Sequence, residues 1–182
     1  PATGASWPVG IRSLVIGSVV KSSKDIELTS DLLQKYRSTQ SADLREDICS
    51  GLTSARQSAQ IELLLASFTD SSIIRQQDLF RWFAYLIRNR YAREMTWAWM
   101  KDKWDWIEQI FGGDKSYDDF PRYAAAGLTT REQLDDFANF FASKRDIPAL
   151  TRTIDLGIKE IVAKVETIQN DGALVIDRLM DL

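Results

Sequence analysis

The segment from Asn89 to Phe111 constrains the fold most, because it contains four of the chain's six tryptophans. Placed at about 100° per residue, as in an α-helix, its apolar residues form two stripes on nearly opposite sides. The first stripe contains Trp97, Met100, Trp104, Ile107 and Phe111, and the second contains Met95, Trp99, Trp106 and Ile110. The two stripes predict one long helix that neighbouring elements cover on two sides, as in a layered array of helices.

Helical spacing also fills the part of the chain that precedes this segment. The residues Ile11, Leu14, Val15 and Val19 fit the inward face of a first helix, and a strand is the alternative for this β-branched run. Polar turns at residues 38–41, 53–58 and 69–72 separate the helices that follow. Asp78 fits the N-cap of a further helix, whose inward face includes Trp82.

The C-terminal part shows the same periodicity. Thr129 and Glu132 form the T-x-x-E pattern of a capping box, which predicts the start of a helix. Pro148 fits the first position of a long last helix. Its predicted inward residues are Leu150, Ile154, Ile158, Ile161, Val165 and Ile168. A separate short helix is expected from Leu174 to Leu179.

The predicted fold class is all-α, since the chain has no hairpin signal and no long alternation of apolar and polar residues. We expect antiparallel helix pairs stacked as an irregular HEAT-like or armadillo-like solenoid. A single helical domain is predicted over residues 1–182. The predicted core includes Trp82, Trp97, Trp99, Trp104, Trp106 and Phe111.

The absence of histidine decides most about chemistry. With no histidine, the chain has no Ser-His or Cys-His pair and no H-E-x-x-H zinc motif. No catalytic residue and no metal site are therefore predicted. Carboxylates can act without histidine, and Asp102, Asp105 and Glu108 share a helix face. Because the chain has 26 acidic residues, such groups are expected by chance, and we interpret this one as a solvated surface.

Charge and hydropathy bear on partners and location. A net charge of −3 gives no general attraction to nucleic acid or anionic lipid, so neither is predicted as a partner. The longest apolar run, Leu14 to Val20, is far shorter than the ~20 residues that a membrane-spanning helix needs. With no recognisable signal segment and a single cysteine, Cys49, a cytoplasmic location is predicted.

Three short motifs together resemble a known family. Residues 74–78 fit the pattern I-x-x-Q-D, Asn89 to Arg93 fit N-x-x-G-R with alanine in place of glycine, and Trp97 to Trp104 fit W-x-F-x-x-x-x-W with tryptophan in place of phenylalanine. These patterns and their spacing are similar to the C-terminal helical domain of aminopeptidase N type zinc metallopeptidases, closest to the enzymes of lactic acid bacteria. The resemblance covers most of the chain and is weakest before Leu44.

The resemblance implies a division of labour within a larger enzyme. In that family the zinc ion and its glutamate base belong to an upstream thermolysin-like domain, and the C-terminal domain is a bowl of helix pairs that closes over the catalytic chamber. This chain is therefore expected to be the C-terminal portion of an aminopeptidase, inactive by itself and without a cofactor of its own. Its expected partners are the upstream catalytic domain and a peptide substrate.

A set of basic and aromatic side chains is the candidate for substrate contact. Arg81 and Arg88 share a helix face, and Tyr91 and Arg93 follow. The C-terminal domain of related enzymes supplies contacts to the peptide, and a guanidinium could hold the peptide's terminal carboxylate by two hydrogen bonds. The alternative, which we weight more, is that these arginines pair with neighbouring acids on the helix surface.

Two other classes of function stay open. A free-standing helical-repeat adaptor would present a concave binding face. An independent histidine-free enzyme would need converging carboxylates in a pocket. The aminopeptidase hypothesis differs from both, since it predicts a long upstream segment that contains a zinc motif.

Overall fold

The computed structural model describes residues 11–180, with all side chains except those of residues 173, 179 and 180. Within this range the helices are α1 (Arg12–Ser22), α2 (Ile26–Ser38), α3 (Ala42–Leu52), α4 (Ser58–Ser67), α5 (Gln76–Arg88), α6 (Arg93–Asp102), α7 (Trp104–Phe111), α8 (Asp119–Gly127), α9 (Arg131–Phe141), a 3-10 turn (Ala142–Lys144) and α10 (Pro148–Met180). Residues 11–180 contain no strand, so the predicted all-α class is confirmed.

The chain divides into two compact units, one through Trp99 and one from Met100 onward. The boundary falls within α6. The single domain and the solenoid stacking stay predictions.

Aromatic rings form the centre of the first unit. Trp82, on α5, is fully buried and lies edge-on to Tyr36 and Phe68, with ring centroids 5.1 and 6.5 Å away. Phe68 lies edge-on to Trp99 at 5.1 Å. Edge-to-face pairs of this kind stabilise a core beyond the area they bury. The apolar face of α5 is therefore fixed against α2 and the end of α4.

The first helix packs on a face other than the predicted one. Of the residues expected to face inward, Ile11, Leu14 and Val19 are exposed and Val15 is half-buried. Gly17 and Val20 are buried instead. A Cβ on Gly51 of α3 would lie only 2.3 Å from Cγ2 of Ile16, so the two helices approach closely at a glycine. The sequence prediction weighed apolar side chains and missed a contact that depends on the absence of a side chain.

A second aromatic cluster forms the centre of the unit from Met100 onward. The ring of Trp104 lies 5.6 Å from that of Tyr117, 5.6 Å from that of Phe140 and 5.2 Å from that of Phe141. Helix α10 packs against α8 and α9. A Cβ on Gly157 of α10 would lie 2.9 Å from the nearest side-chain atom, so this packing also depends on a glycine.

The tryptophan-rich segment is two helices rather than one. Residues 89–92 are not helical, α6 ends at Asp102, and Lys103 adopts φ −98° and ψ 15° before α7 begins at Trp104. The side chains of Asp102 and Lys103 pair at 2.8 Å. Adjacent residues of a continuous helix point in different directions, so this pair fits the interruption.

Covering on two sides is correct for only part of the segment. The first stripe is buried throughout: Trp97, Met100, Trp104, Ile107 and Phe111 are all at most 4% exposed. In the second stripe Trp99 is buried, but Met95 and Trp106 are half-buried and Ile110 is exposed. Trp106, expected in the core, therefore lies at its edge, and α7 is covered on one side.

Two helix starts differ from the prediction, by three residues for α5 and by one for α9. Arg75 is the N-cap residue of α5, and Asp78 instead accepts hydrogen bonds from the Tyr36 hydroxyl and from Arg75. The capping box of α9 is formed by Thr130 and Gln133, one residue later than the predicted T-x-x-E pair. Both positions satisfy the same local pattern, since either threonine precedes an acceptor-bearing side chain by three residues.

Helix α10 continues without a break to Met180, so no separate helix begins at Leu174. Its inward stripe ends sooner than predicted, because Leu150, Ile154, Ile161 and Val165 are buried whereas Ile158 is half-buried and Ile168 is 55% exposed. Gly172 does not end the helix, because a single glycine within a helix costs only about 1 kcal/mol. None of the helices in residues 11–180 combines the length and apolar character that a membrane span requires.

Candidate functional site

A basic cleft of about 350 Å³ opens in the first unit where α1, α3 and α5 end. It is lined by Lys21, Ser50, Thr53, Ser54, Arg56, Tyr85, Arg88, Asn89 and Tyr91. These residues come from the last turns of the three helices and from the turns that follow α3 and α5. The cleft therefore depends on bringing together segments that are distant in sequence.

Asn89 joins two of these segments. Its Nδ2 donates hydrogen bonds to the carbonyl oxygens of Thr53 at 2.9 Å and Ala55 at 2.7 Å. Its Oδ1 accepts a hydrogen bond from the backbone N–H of Tyr91 at 3.0 Å. The amide thus satisfies backbone groups that the helix ends leave without partners. This asparagine of the N-x-x-G-R pattern has a positioning role.

Three cationic side chains line the cleft, and no carboxylate is among its lining residues. Lys21 lies in the last turn of α1 and Arg88 in the last turn of α5, while Arg56 lies in the turn after α3. The C-terminal end of a helix carries a partial negative charge, which stabilises a cation there. The cleft as a whole is positive and is suited to an anionic group.

Tyr91 is held between charged neighbours. The guanidinium carbons of Arg56 and Arg90 lie 5.3 and 4.7 Å from the centroid of its ring, within range of cation–π attraction. Arg90 also donates a hydrogen bond of 2.6 Å to the Tyr91 hydroxyl, and this bond lowers the pKa of Tyr91. These contacts restrict the orientation of Arg56 at the rim of the cleft.

The predicted residue Arg81 does not line the cleft. It pairs with Glu46, which also accepts a hydrogen bond of 3.0 Å from the Tyr85 hydroxyl. Burial and the neighbouring Glu46 carboxylate raise the pKa of Tyr85, so this phenol stays protonated and acts as a donor. Arg81 is thus paired with an acid on α3 and not with a neighbouring acid of its own helix.

The predicted residue Arg93 also lies outside the lining of the cleft. Its Nε donates to the carbonyl oxygen of Ile87, near the end of α5, at 3.5 Å. Of the four candidates, the structure brings Arg88 and Tyr91 together in one cleft. It adds Lys21 and Arg56, which the sequence reasoning missed because neither belongs to a motif and both lie more than thirty residues before Arg88.

The described residues contain no candidate metal site. They contain no group of three or more cysteine, aspartate or glutamate side chains placed to hold a metal ion, and the chain has no histidine. Zinc sites need three or four such ligands at close range. The acidic face of α7 therefore has no donor set that would fit zinc, and we derive no catalytic step from it.

Comparison with known proteins identifies the class. The family model described as the ERAP1-like C-terminal domain matches residues 2–163. The chain belongs to this family, as its three motifs predict.

The similar proteins are aminopeptidases. Aminopeptidase N of Lactococcus lactis subsp. lactis is 30% identical over 97% of this chain, and that of Lactobacillus helveticus is 31% identical over 92%. Aminopeptidase N of Lactococcus lactis subsp. cremoris strain MG1363 is 32% identical over 98% of the chain. The matched parts are 21%, 20% and 21% of these proteins, so the chain spans about a fifth of their length. The predicted resemblance to the enzymes of lactic acid bacteria is confirmed.

Proposed function

We propose that this chain is the non-catalytic C-terminal domain of a zinc aminopeptidase of the aminopeptidase N type. In this proposal the catalytic domain, which holds the zinc ion, lies upstream in the same polypeptide. The helical domain closes over the catalytic chamber, and its basic cleft contacts the C-terminal part of the peptide substrate. Family membership supports the first part, and the cleft lined by Lys21, Arg56 and Arg88 carries the second.

The chemistry of the cleft suits the end of a peptide. An aminopeptidase acts at the amino end of a peptide, so the opposite end with its carboxylate is free to bind elsewhere. A guanidinium binds a carboxylate through two parallel N–H···O bonds, and such charge-assisted bonds are about twice as strong as neutral ones. A cleft of about 350 Å³ is large enough for a terminal carboxylate and part of the adjoining residue.

The arginines would act by binding and orientation, without taking part in bond cleavage. Asn89 fixes the backbone of the turn that follows Arg88, and the Tyr91 ring contacts Arg56, so the walls of the cleft are positioned before a substrate arrives. Ordering in advance reduces the entropy lost on binding. The zinc ion would supply the activation of water for hydrolysis, and this chain contributes no ligand to it in our proposal.

The test compares substrates that differ only at the C-terminus. In the full-length enzyme, kcat/KM is measured for one peptide as its free acid and as its C-terminal amide. We expect the free acid to be the better substrate. Arg56→Gln and Arg88→Gln should each lower kcat/KM for the free acid by about tenfold, the loss of one charge-assisted contact, and leave the amide nearly unchanged.

The matched control is Arg131→Gln, because Arg131 is an exposed arginine that pairs only weakly, at 3.8 Å, with Asp135. It should leave the preference for the free acid intact. Equal kcat/KM for acid and amide in the unmodified enzyme would remove the substrate role of the cleft. Peptide hydrolysis by the purified 182-residue chain would contradict the non-catalytic role.

A further inference from the structure

A second basic cleft lies in the first unit and shares no lining residue with the cleft described above. It has a volume of about 280 Å³ and is lined by Tyr36, Arg37, Arg45, Ser72, Ile73 and Arg75. These residues come from the end of α2, the first turn of α3 and the turn before α5. Three guanidinium groups therefore border one small volume.

Within residues 11–180, only one of the three arginines in this cleft is paired with a carboxylate at close range. Arg75 donates from Nε to Oδ2 of Asp78 at 2.8 Å, and its Nη2 lies 2.7 Å from the same oxygen. The Tyr36 hydroxyl donates to this oxygen as well, at 3.0 Å. The carboxylate of Asp78 thus accepts hydrogen bonds from both Arg75 and Tyr36.

Arg45 is held in place without being neutralised. Its Nη1 donates to the carbonyl oxygen of Thr39 at 3.1 Å, a contact that positions the guanidinium but brings no negative charge. The half-buried Arg45 therefore enters the cleft as an ordered cation with further N–H donors.

Arg37 has no ion pair within 4 Å in the described part of the chain. Asp70, an exposed residue in the turn before Ile73, interacts electrostatically with Arg37. Hydrogen bonds from Ser72 lower the pKa of Asp70, and the charge of Arg37 lowers it further by a smaller amount. At longer range Asp70 thus offsets part of the charge of Arg37.

The balance of charge in this cleft is positive. Like charges held close together repel, and the repulsion is relieved when an anion binds between them. Guanidinium groups are weakly hydrated and present planar pairs of N–H donors, which match the oxygens of carboxylates and phosphates. We propose that this cleft binds a small oxyanion, a carboxylate or a phosphate group, between Arg37 and Arg45.

An apolar groove continues from the cleft along α2. It has a volume of about 250 Å³ and is lined by Ser30, Leu33, Gln34, Arg37, Leu63, Ser67 and Ile73, so Arg37 and Ile73 belong to both. A carboxylate with a short alkyl chain could therefore place its charge at the arginines and its chain in the groove. This makes butanoate a suitable probe beside inorganic phosphate.

The test titrates the 182-residue chain with inorganic phosphate and, separately, with butanoate, at constant ionic strength maintained with chloride. The readout is the Nε–Hε NMR signals of Arg37 and Arg45, assigned by substitution. We expect saturable shifts with at least one of the two probes. The probe that binds more tightly identifies the source of the oxyanion.

Arg37→Gln and Arg45→Gln should each weaken that binding by about tenfold, as expected for one charge-assisted contact. Arg56→Gln, in the first cleft, and Arg131→Gln should leave it unchanged, and far-UV circular dichroism checks that each variant is folded. Shifts that do not saturate with either probe, or an affinity in the Arg37 and Arg45 variants equal to that of the unmodified chain, would overturn the proposal. Because the readout is local to this cleft, its failure is separate from failure of the peptide-contact proposal.

Discussion

In each unit cationic side chains lie near helix ends, and the two sites differ in whether a carboxylate lies beside them. In the unit from Met100 onward, Lys164 donates to the carbonyl oxygens of Ala125 and Ala126 at 2.9 and 2.8 Å and pairs with Glu160 at 2.6 Å. The Lys164 ammonium group thereby supplies hydrogen-bond donors to carbonyl oxygens at the end of α8. In the first unit, Arg56 and Arg88 border a cleft without a lining carboxylate. The cation near the end of α8 thus lies beside a carboxylate, whereas the first cleft has none among its lining residues.

Aromatic packing differs between the units in a related way. In the second unit Trp104 contacts three aromatic rings, and this cluster sets the position of α7. In the first unit the ring of Trp82 contacts Tyr36, whose hydroxyl reaches the carboxylate of Asp78 at 3.0 Å. The core of the first unit thus ends in a polar network of Tyr36, Asp78 and Arg75, which borders the second basic cleft. Both clefts that we propose as binding sites lie in the first unit.

The largest expected effect tests the packing of the second unit. Trp104→Ala should lower the free energy of unfolding by about 3 to 5 kcal/mol, because it removes a buried ring and leaves a cavity among Tyr117, Phe140 and Phe141. Denaturant unfolding measures the loss. Trp106→Ala is the control, since this ring is half-buried and its removal should cost about 1 kcal/mol or less. A loss in Trp104→Ala as small as that expected for Trp106→Ala would show that the cluster does not depend on Trp104.

A smaller effect tests the polar construction of the first unit. Asn89→Ala should cost about 1 to 2 kcal/mol, because the carbonyl oxygens of Thr53 and Ala55 lose their donor. It should also loosen the first cleft, so hydrogen exchange at the amide of Tyr91 should speed up. Hydrogen exchange within α10 is the internal control and should not change. A variant as stable as the unmodified chain would mean that water replaces the amide without cost.

The smallest effect concerns the pH dependence of stability. Burial and, less strongly, the charge of Asp78 raise the pKa of Tyr36 from its ordinary value of 10.0 to about 12. Below about pH 10 the phenol is protonated in both the folded and the unfolded chain. As the pH rises from 10 towards 12, the unfolded chain loses this proton first, so the contribution of Tyr36 to stability falls.

Tyr36→Phe provides the comparison, because it removes the titration and the hydrogen bond to Asp78 together. The variant should be less stable at pH 8, by about 1 kcal/mol. The difference from the unmodified chain should narrow as the pH rises above 10. Urea unfolding at several pH values measures it. A difference that stays constant up to pH 11 would show that Tyr36 has the same pKa in both states.

Much of the local structure was predictable because it depends on residues close in sequence. The 3- and 4-residue spacing identified most helices of the described range, although not α8, and the threonine-rich start of α9 was placed within one residue. The motifs around Ile74, Asn89 and Trp97 predicted the family that the comparison shows. Local patterns of this kind are written in short segments and need no knowledge of what packs against them.

The candidate site was only half predictable. Arg88 and Tyr91 were identified because Arg88 shares a helix face with Arg81 and Tyr91 follows it, whereas Lys21 and Arg56 carry no local signal. Arg81 and Arg93 look equivalent to Arg88 in sequence, yet their partners are Glu46 and the carbonyl oxygen of Ile87. Which arginine faces a cleft depends on neighbours that come from other helices.

The sequence by itself determined the all-α class, the approximate helix starts and the family, since these follow from periodicity, capping and short motifs. The tertiary structure decided which face of α1 packs inward, where the tryptophan-rich segment is interrupted and which cations meet in each cleft. The physical reason is that burial and electrostatic fields depend on distances between remote segments. The glycine contact of α1 with α3 and the ring contacts of Trp104 set such distances, and neither can be read from its own helix.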